Sequence, residues 1–299
     1  MIIETDKLSK HFIRHQAVHD VSLRVPAGAA FALIGANGAG KTTLLRMLVN
    51  ILSADGGNAR VLGVDTHRLS HVEYSRIGYV SENAKLPDRL TIAQYFDYLR
   101  ALYPKWDRTL ETDLRRSLEL PSTRKLGKLS HGMRMKAMLI GALAFRPELL
   151  ILDEPLSGLD PLVRDEVMTS LLSQAGETTI VISSHELSEI ENAVTHVAFM
   201  DKGKLLFQEA IEDLTARFRE IDVVRTDSSR SSNLPSTWLS QESTNQTLRF
   251  VETAFVSEDD MMRKLSIHLG DFGYLEMRAM SLRDISKTLM RATRTESNK

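Results

Sequence analysis

The stretch FALIGANGAGKTTLLRMLV, residues 31–49, decides the fold of this chain. It opens with four apolar residues, breaks into a glycine-rich loop and resumes with helix-forming residues. This order predicts a buried parallel strand, a loop and a helix. Gly35, Gly40, Lys41 and Thr42 fill every fixed position of the pattern GxxxxGK(S/T), in which backbone N–H groups wrap a phosphate. A glycine-rich turn that binds nothing has no need of Lys and Thr at this spacing, so the stretch predicts a phosphate-binding loop.

The polar residues of this loop have defined chemical roles. The positive end of the helix that begins near Lys41 attracts an anion. We expect the Lys41 ammonium to reach the β- and γ-phosphates of a nucleotide and the Thr42 hydroxyl to bind Mg²⁺. The loop therefore indicates a nucleotide with its metal ion as the ligand.

Two further predicted strands end in polar residues suited to the same site. The apolar run 149–152 is followed by Asp153 and Glu154, and the run 178–182 leads through two serines to His185. Because ligands bind at the carboxyl ends of strands in open α/β sheets, we expect Asp153 to hold Mg²⁺ and Glu154 to activate a water. His185 is a candidate donor to a γ-phosphate oxygen. A helix cap, a solvated acid and a packing histidine are the alternatives, which the nearby phosphate loop makes less attractive.

Two other residues admit both a structural and a binding interpretation. Phe12 lies upstream of the phosphate loop, where an aromatic ring either fills the core or stacks on adenine, and the sequence does not decide between them. Ser130 is suited to cap the helix that runs to residue 145. The N-terminus of that helix is then either an anion site or only a capped end.

Composition and charge narrow the class of protein. A chain of 299 residues is long enough for one large domain and one small one. Its net charge of −1 gives no basic field, and no nucleic-acid partner is expected. A sequence without cysteine has neither disulfides nor thiolate metal sites. The N-terminus has no apolar signal core, and no apolar run approaches the ~18 residues that span a bilayer, so we expect any membrane role to depend on a partner.

The order of four segments carries a resemblance to a known family. GANGAGKTT, LSHGM, LLILDEPLSGLDP and SSHELSEIE follow one another as in the ATP-binding cassette (ABC) family of transporter ATPases. The resemblance extends from residue 1 to about residue 215. It implies an α/β fold, a P-loop cassette at residues 1–217 with a parallel-sheet core, an antiparallel β subdomain and a helical subdomain at about 88–146.

The resemblance also implies ATP and Mg²⁺ as ligands and assigns a role to individual residues. Lys41, Glu154 and His185 would be catalytic. The metal would be held by Thr42, Asp153 and Glu82. The implied nucleotide contacts are Phe12, Gly35, Ala36, Asn37, Gly38, Ala39, Gly40, Lys41, Thr42, Thr43, Glu82, Ser130, Gly132 and Asp160.

Pairing of two cassettes is part of what the resemblance implies. ATP held by Lys41 and Thr42 of one chain would be closed over by Ser130 and Gly132 of another, in a homodimer or a pair with a homologous cassette. Closure and hydrolysis would drive transport through separate membrane subunits at the inner face of the cell membrane, in the direction of export. This would make the chain a cytoplasmic, peripheral subunit.

Two departures from the family pattern bear on the rate. Glu82 stands where the family has Gln, so the metal contact is kept while an amide donor is lost and negative charge is added. His131 and Met133 replace the third and fifth residues of the usual LSGGQ. Ser130 and Gly132, which carry the phosphate contacts, are retained. We therefore expect an active but slow site.

The last part of the chain, residues 218–299, resembles the small α+β domain found at the end of cassettes with separate membrane subunits. The sequence predicts strands at 221–224, 248–255 and 274–277, helices at 259–269 and 282–290, and a Ser/Thr-rich loop at 226–246. Regulation, dimer contact or simple stabilisation are the open roles for this domain.

Two other functions are compatible with parts of the sequence. A soluble cassette ATPase acting on the ribosome or on DNA would have two fused cassettes or a coiled-coil insertion, and residues 41–153 leave no room for one. A non-catalytic, ATP-sensing regulator is suggested by Glu82 and the altered signature. Glu154 and His185 argue against this second alternative.

Overall fold

The computed structural model describes residues 1–13, 15–173, 177–226, 234–244 and 246–296. The chain divides into two compact units, Met1–Gln208 and Glu209–Lys299. The domain boundary predicted from the sequence, between residues 217 and 218, falls inside the second of these units.

The described residues of the first unit contain eleven strands and six α-helices, and the last strand continues two residues into the second unit. The strands are β1 (Ile3–Phe12), β2 (His15–Val21), β3 (Arg24–Val25), β4 (Ala30–Ile34), β5 (Gly56–Val61), β6 (Val64–Asp65), β7 (Ile77–Ser81), β8 (Leu149–Asp153), β9 (Thr179–Ser184), β10 (His196–Asp201) and β11 (Lys204–Ala210). The helices are α1 (Lys41–Leu48), α2 (His71–Tyr74), α3 (Ile92–Leu102), α4 (Arg108–Ser117), α5 (His131–Leu143) and α6 (Pro161–Leu172).

The central sheet confirms the predicted parallel core. Its strand order is β11-β10-β4-β9-β8-β7, and the pairs from β10 to β7 are all parallel. Every residue of β4 and β8 is buried, because helices such as α1 and α5 cover the faces of the sheet. The carboxyl ends of β4, β8 and β9 meet at one edge, where Ile34 lies beside Ser184 and Asp153 beside Ser183. This edge carries the predicted site.

The antiparallel β subdomain is also confirmed. Its sheet has the order β2-β1-β5-β6, with β3 paired to β1, and these strand pairs are antiparallel. The hairpin of β1 and β2 brings Phe12 opposite His15. Burial alternates over residues 3–6 of β1, where one face of the strand lies against the core and the other toward solvent.

Side-chain caps fix where the helices between β7 and β8 begin. Thr91 and Gln94 form a capping box at α3, Asp107 caps α4, and Ser130 caps α5. The apolar residues of α5 lie on all sides of the helix, and from Met135 to Leu143 every residue is buried. Such a helix belongs to the interior and holds the helical subdomain against the sheet.

The second unit is a small α+β fold. Its elements are α7 (Ile211–Arg217), β12 (Arg219–Arg225), β13 (Trp238–Ser243), β14 (Thr247–Glu252), α8 (Glu258–Leu269), β15 (Phe272–Ala279) and α9 (Leu282–Glu296). The antiparallel sheet has the order β13-β14-β12-β15. Its core joins the sheet to α8 through Phe250, Trp238 and Leu265.

One expectation for this unit was wrong. The Ser/Thr-rich segment 226–246 is not a loop throughout, because β13 lies within it and pairs with β14. Residues 227–233 and 245 of the segment lie outside the described residues. No helix in the described parts of the chain has both the length and the apolar character needed to cross a membrane.

Candidate active site

The phosphate loop lies between β4 and α1, as the sequence predicts. Gly40 precedes α1 with φ of 99°, and a Cβ at this position would lie 2.3 Å from the carbonyl oxygen of Ala17. Gly38 has φ of 85°, and a Cβ there would meet no other atom within 4 Å. Only glycine adopts these backbone conformations without strain. The two glycines let the loop curve around an open space.

Lys41 points back into this loop. Its side chain is 5% exposed, and its Nζ donates to the carbonyl oxygens of Gly35 at 2.7 Å and Ala36 at 3.3 Å. The same nitrogen lies 3.0 Å from Oε1 of Glu154. A buried ammonium is stable only when charge and hydrogen bonds compensate its lost hydration. Here Glu154 supplies the charge.

Glu154 connects Lys41 to His185. While Oε1 faces the lysine, Oε2 lies 3.0 Å from Nδ1 of His185. The structure thus brings the three predicted catalytic side chains into one continuous chain of contacts. Glu154 also has φ of 52°, which is uncommon for a residue with a side chain, and its N–H donates to Oγ of Ser183 at 2.9 Å.

Asp153 and Thr42 form the oxygen-rich part of the site. The Asp153 carboxylate is 3% exposed, and its Oδ1 accepts hydrogen bonds from Thr42 Oγ1 at 2.9 Å and Ser183 Oγ at 3.0 Å. Ser81 Oγ lies 3.4 Å from Oδ2. Hydroxyl and carboxylate oxygens are the ligands that Mg²⁺ prefers, and this ion takes one or two protein groups besides water and phosphate.

The donor set therefore fits Mg²⁺ rather than a metal that is fully enclosed by protein. Among the residues that the structure describes, no group of three or more His, Asp or Glu side chains could hold a metal ion. Glu82, the third predicted ligand, lines the same cavity, and its N–H donates to the carbonyl oxygen of Asp153 at 3.1 Å. The backbone of Glu82 is thus tied to that of Asp153.

A cavity of about 400 Å³ lies over the phosphate loop. Phe12 is 45% exposed, so it is not a core residue, and Nζ of Lys10 lies 5.7 Å from the centre of its ring. An exposed ring at the rim of a phosphate site suits stacking on a flat base. The residues that line the cavity are Phe12, His15, Ala17, Asn37, Gly38, Ala39, Gly40, Lys41, Thr42, Thr43, Glu82 and Glu154.

Five predicted nucleotide contacts do not line this cavity. Gly35 and Ala36 belong to the phosphate loop and accept from Lys41 through their carbonyl oxygens. The other three, Ser130, Gly132 and Asp160, lie at the starts of helices α5 and α6. Ser130 accepts from Met133 N at 3.3 Å and caps α5, and Asp160 accepts from Val163 N at 3.1 Å and caps α6. A Cβ on Gly132 would lie 3.1 Å from a methyl of Val163, which explains the small residue. The structure thus places these residues in a second group, apart from the cavity.

Two serines contribute to the site in ways that the sequence did not reveal. Ser183 holds both the carboxylate of Asp153 and the backbone of Glu154, and Ser81 adds a weaker contact. Their only signal in the sequence is their position at the ends of apolar strands. That position is shared by many serines without a function.

Comparisons with known proteins agree with this geometry. The family model described as "ABC transporter" matches residues 18–157. The ABC transporter ATP-binding protein YtrB of Bacillus subtilis is 34% identical over 224 residues, which are 74% of this chain and 76% of the relative. The bacitracin transport ATP-binding protein BcrA of Enterococcus faecalis is 33% identical, over 73% of this chain and 72% of the relative.

Solved structures share the fold. The ATP-binding subunit of an ABC transporter has a TM-score of 0.66 at 24% identity, covering 72% of this chain and 92% of its own. The dimeric cassette MJ0796 in a post-hydrolysis state, bound to ADP and Pi, has a TM-score of 0.63 at 20% identity. The match covers 70% of this chain and 98% of MJ0796. The relatives are more than 30% identical over most of both chains, and the phosphate loop has every fixed residue of its pattern. This chain therefore belongs to the ABC transporter family, as one of its ATP-binding cassettes.

Proposed function

We propose that this chain is the ATP-hydrolysing subunit of an ABC exporter whose membrane subunits are separate chains. One observation carries the proposal: Lys41, Glu154 and His185 meet in one chain of contacts at the phosphate loop. A cation for phosphate, a carboxylate for water and an imidazole for a phosphate oxygen are the groups that attack of water on the γ-phosphate requires.

Each of these side chains has a task that follows from its position. Phosphate attracts the Lys41 ammonium away from Glu154, which frees the carboxylate to accept a proton from the attacking water. His185, held at Nδ1 by Glu154, keeps Nε2 for an oxygen of the γ-phosphate. The backbone N–H groups of residues 38–43 bind the phosphates.

We assign Mg²⁺ to Thr42, Asp153 and Glu82. When bound, the ion neutralises charge on the β- and γ-phosphate oxygens. Ser183 orients the Asp153 carboxylate toward Thr42, so the two oxygens are already adjacent. Glu82 adds a negative charge where the family has an amide, which lowers the affinity for ATP and slows the reaction.

Ser130, Gly132 and Asp160 are assigned to the nucleotide of a second cassette, because none of them lines the cavity of its own chain. The N-terminus of α5 suits this role, since its first turn has no acidic side chain to repel a phosphate. Two copies of this chain, or this chain and a homologue, then share two composite sites.

The names of the relatives support a direction of transport and a location. BcrA is named for bacitracin transport, and DrrA2 of Streptomyces coeruleorubidus, 31% identical over 71% of this chain and 68% of its own, for daunorubicin resistance. We infer export of a drug-like or lipid-like compound, with the cassette at the cytoplasmic face of the membrane. Residues 1–217 supply the ATPase, and residues 218–299 serve regulation or dimer contact.

The test is phosphate release from Mg·ATP, measured against the concentration of the purified chain, for the wild type and Glu154→Gln. We expect the wild-type rate to rise more steeply than linearly with concentration. The variant should bind ATP and lose about 100-fold or more in kcat, because it lacks the base. Binding without turnover in both proteins would indicate an ATP-sensing regulator, and stimulation by ribosomes or DNA would indicate the soluble class.

A further inference from the structure

The turn that carries His185 is closed by the serine before it. Oγ of Ser184 accepts a hydrogen bond from the N–H of Glu186 at 3.0 Å. This bond closes a turn with His185 at its centre. The hydroxyl proton has two acceptors within reach, the carbonyl oxygen of Glu186 at 3.0 Å and Oε2 of Glu189 at 3.1 Å. The ionised carboxylate is the stronger acceptor. Glu189 thus orients the hydroxyl that shapes the turn.

Glu189 is itself held by helix α6. Its side chain is 6% exposed, and its Oε1 lies 2.9 Å from Nη1 of Arg164 in the first turns of that helix. Burying a carboxylate this deeply is costly unless a cation and hydrogen bonds compensate its lost hydration. Arg164 and the Ser184 hydroxyl supply both. The contacts therefore run from α6 through one buried acid to the turn at His185.

We propose that Glu189 and Arg164 are positioning residues for His185, which hold its Nδ1 against Glu154 and so aim Nε2 at the γ-phosphate. The inference rests on the proposed ATPase function and extends it to a regulation of the same site. Because Asp160, in the group assigned to the second cassette, caps α6, a shift of this helix would move the histidine. Hydrolysis would then depend on the position of α6.

The plain alternative is that the pair only stabilises the fold. The structure offers a matched control on the same helix. Lys136 of α5 and Glu166 of α6 form an ion pair of 2.5 Å, with side chains that are 10% and 30% exposed. This pair joins α6 to α5 and not to the turn that carries His185. A general effect on α6 would appear in both pairs, whereas positioning of His185 would appear only with Glu189.

The experiment compares Glu189→Gln with Glu166→Gln in the full chain. Without nucleotide and at one fixed pH, ¹⁵N NMR of the His185 ring reports its hydrogen bond to Glu154. We expect the ring signals to change in Glu189→Gln and to stay as in the wild type in Glu166→Gln. Because small misplacements of a catalytic group are costly, Glu189→Gln should also lose about 10-fold in kcat, with KM for ATP within about twofold.

A double variant strengthens the comparison. If Arg164 and Glu189 act through one contact, Arg164→Gln combined with Glu189→Gln should lower kcat no further than the more damaging single change. If Glu189→Gln does not fold, Arg164→Gln and Ser184→Ala carry the same prediction for the ring signals. Thermal unfolding of every variant measures the structural effect separately.

The two possible failures are distinguishable. Unchanged ring signals and kcat in Glu189→Gln, in an active wild-type protein, would overturn the positioning role and leave the proposed ATPase intact. A wild type that does not hydrolyse ATP would refute the proposed function. The ring signals, which need no turnover, would still show whether Glu189 positions His185.

Discussion

Glu154 has two partners in the structure, and they imply competition with the nucleotide. Its carboxylate is 14% exposed and lies against the Lys41 ammonium, the group that must bind phosphate. Removing the negative charge should release the lysine. We predict that Glu154→Gln binds ADP about 3- to 10-fold more tightly than the wild type. The charged hydrogen bond between Lys41 and Glu154 then no longer competes with the phosphates of ADP. Isothermal titration calorimetry measures the two dissociation constants.

The choice of ADP separates this effect from slow hydrolysis, since ADP is not turned over. Glu148→Gln is the matched control, because Glu148 pairs with Arg76 and does not line the cavity. It should leave the affinity for ADP unchanged. Equal affinities in the wild type and Glu154→Gln would show that the Lys41–Glu154 contact does not oppose binding.

Ser183 has a role that is visible only in the structure. One hydroxyl donates to Asp153 and accepts from the N–H of Glu154, which has an unusual backbone conformation. Ser183→Ala would leave that N–H without its partner and cost about 1–3 kcal/mol of the free energy of unfolding. Because the Asp153 carboxylate also loses its orientation, the Mg²⁺ concentration for half-maximal hydrolysis should rise several-fold.

Chemical denaturation and an Mg²⁺ titration of the rate measure these two effects. Ser75→Ala is the control, since the Ser75 hydroxyl donates to the carbonyl oxygen of Val72 and Ser75 does not line the cavity. It should change neither quantity. A normal Mg²⁺ dependence in Ser183→Ala would limit Ser183 to a role in stability.

At the scale of elements, the β1–β2 hairpin positions the ring of Phe12. The Asp55 carboxylate accepts from Nζ of Lys10 at 2.8 Å and from the N–H of His11 at 2.7 Å, and Lys10 lies over the Phe12 ring. Asp55→Asn removes the charge that holds Lys10. We predict that KM for ATP rises about 3-fold with kcat unchanged, and that Phe12→Ala raises KM further, because stacking on a base is worth ~1–3 kcal/mol.

The same contact gives a prediction for pH. The hydrogen bond from Lys10, with that from the His11 backbone, holds the pKa of Asp55 below its ordinary value of 3.8. The stabilisation is therefore present above pH 3.8 and is lost as the pH falls through the lowered pKa. KM in the Asp55→Asn variant should differ from the wild type by the same factor from about pH 6 to pH 8. A difference that shrinks across this range would assign the effect to another group.

The strands β4 and β8 could be predicted from the sequence, whereas β13 and β10 could not. β4 and β8 are uninterrupted apolar runs because helices cover them. β13 has one fully buried residue, Trp238, in a Ser/Thr-rich segment, because it lies at the edge of its sheet. β10 was not predicted either, since a short apolar run does not reveal that it pairs with β4, far away in the chain.

The residues of the candidate site were proposed from the sequence because phosphate chemistry restricts both their type and their spacing. Lys41, Asp153, Glu154 and His185 each follow a strand that ends at the same edge of the sheet. Their contacts with each other were not predictable. The ion pair between Lys41 and Glu154 depends on side-chain directions that the backbone pattern does not contain.

At the scale of the whole molecule, the proposed site is divided between two groups of residues that do not meet in one chain. Lys41 and Thr42 line the cavity, whereas Ser130 and Gly132 lie at the start of α5 and do not line it. Head-to-tail pairing would complete two sites from two chains. This division is the central claim, because the coupling of ATP to movement depends on it.

The most direct test mixes two inactive variants, Lys41→Ala and Ser130→Arg, and measures ATP hydrolysis. Alone, each places one defect in every composite site and should be inactive. In a mixed pair, both defects fall in one site and the other site is intact. With random exchange of subunits, we predict recovery of about a quarter of the wild-type rate. A mixture as inactive as its two components would contradict head-to-tail pairing of this chain with itself.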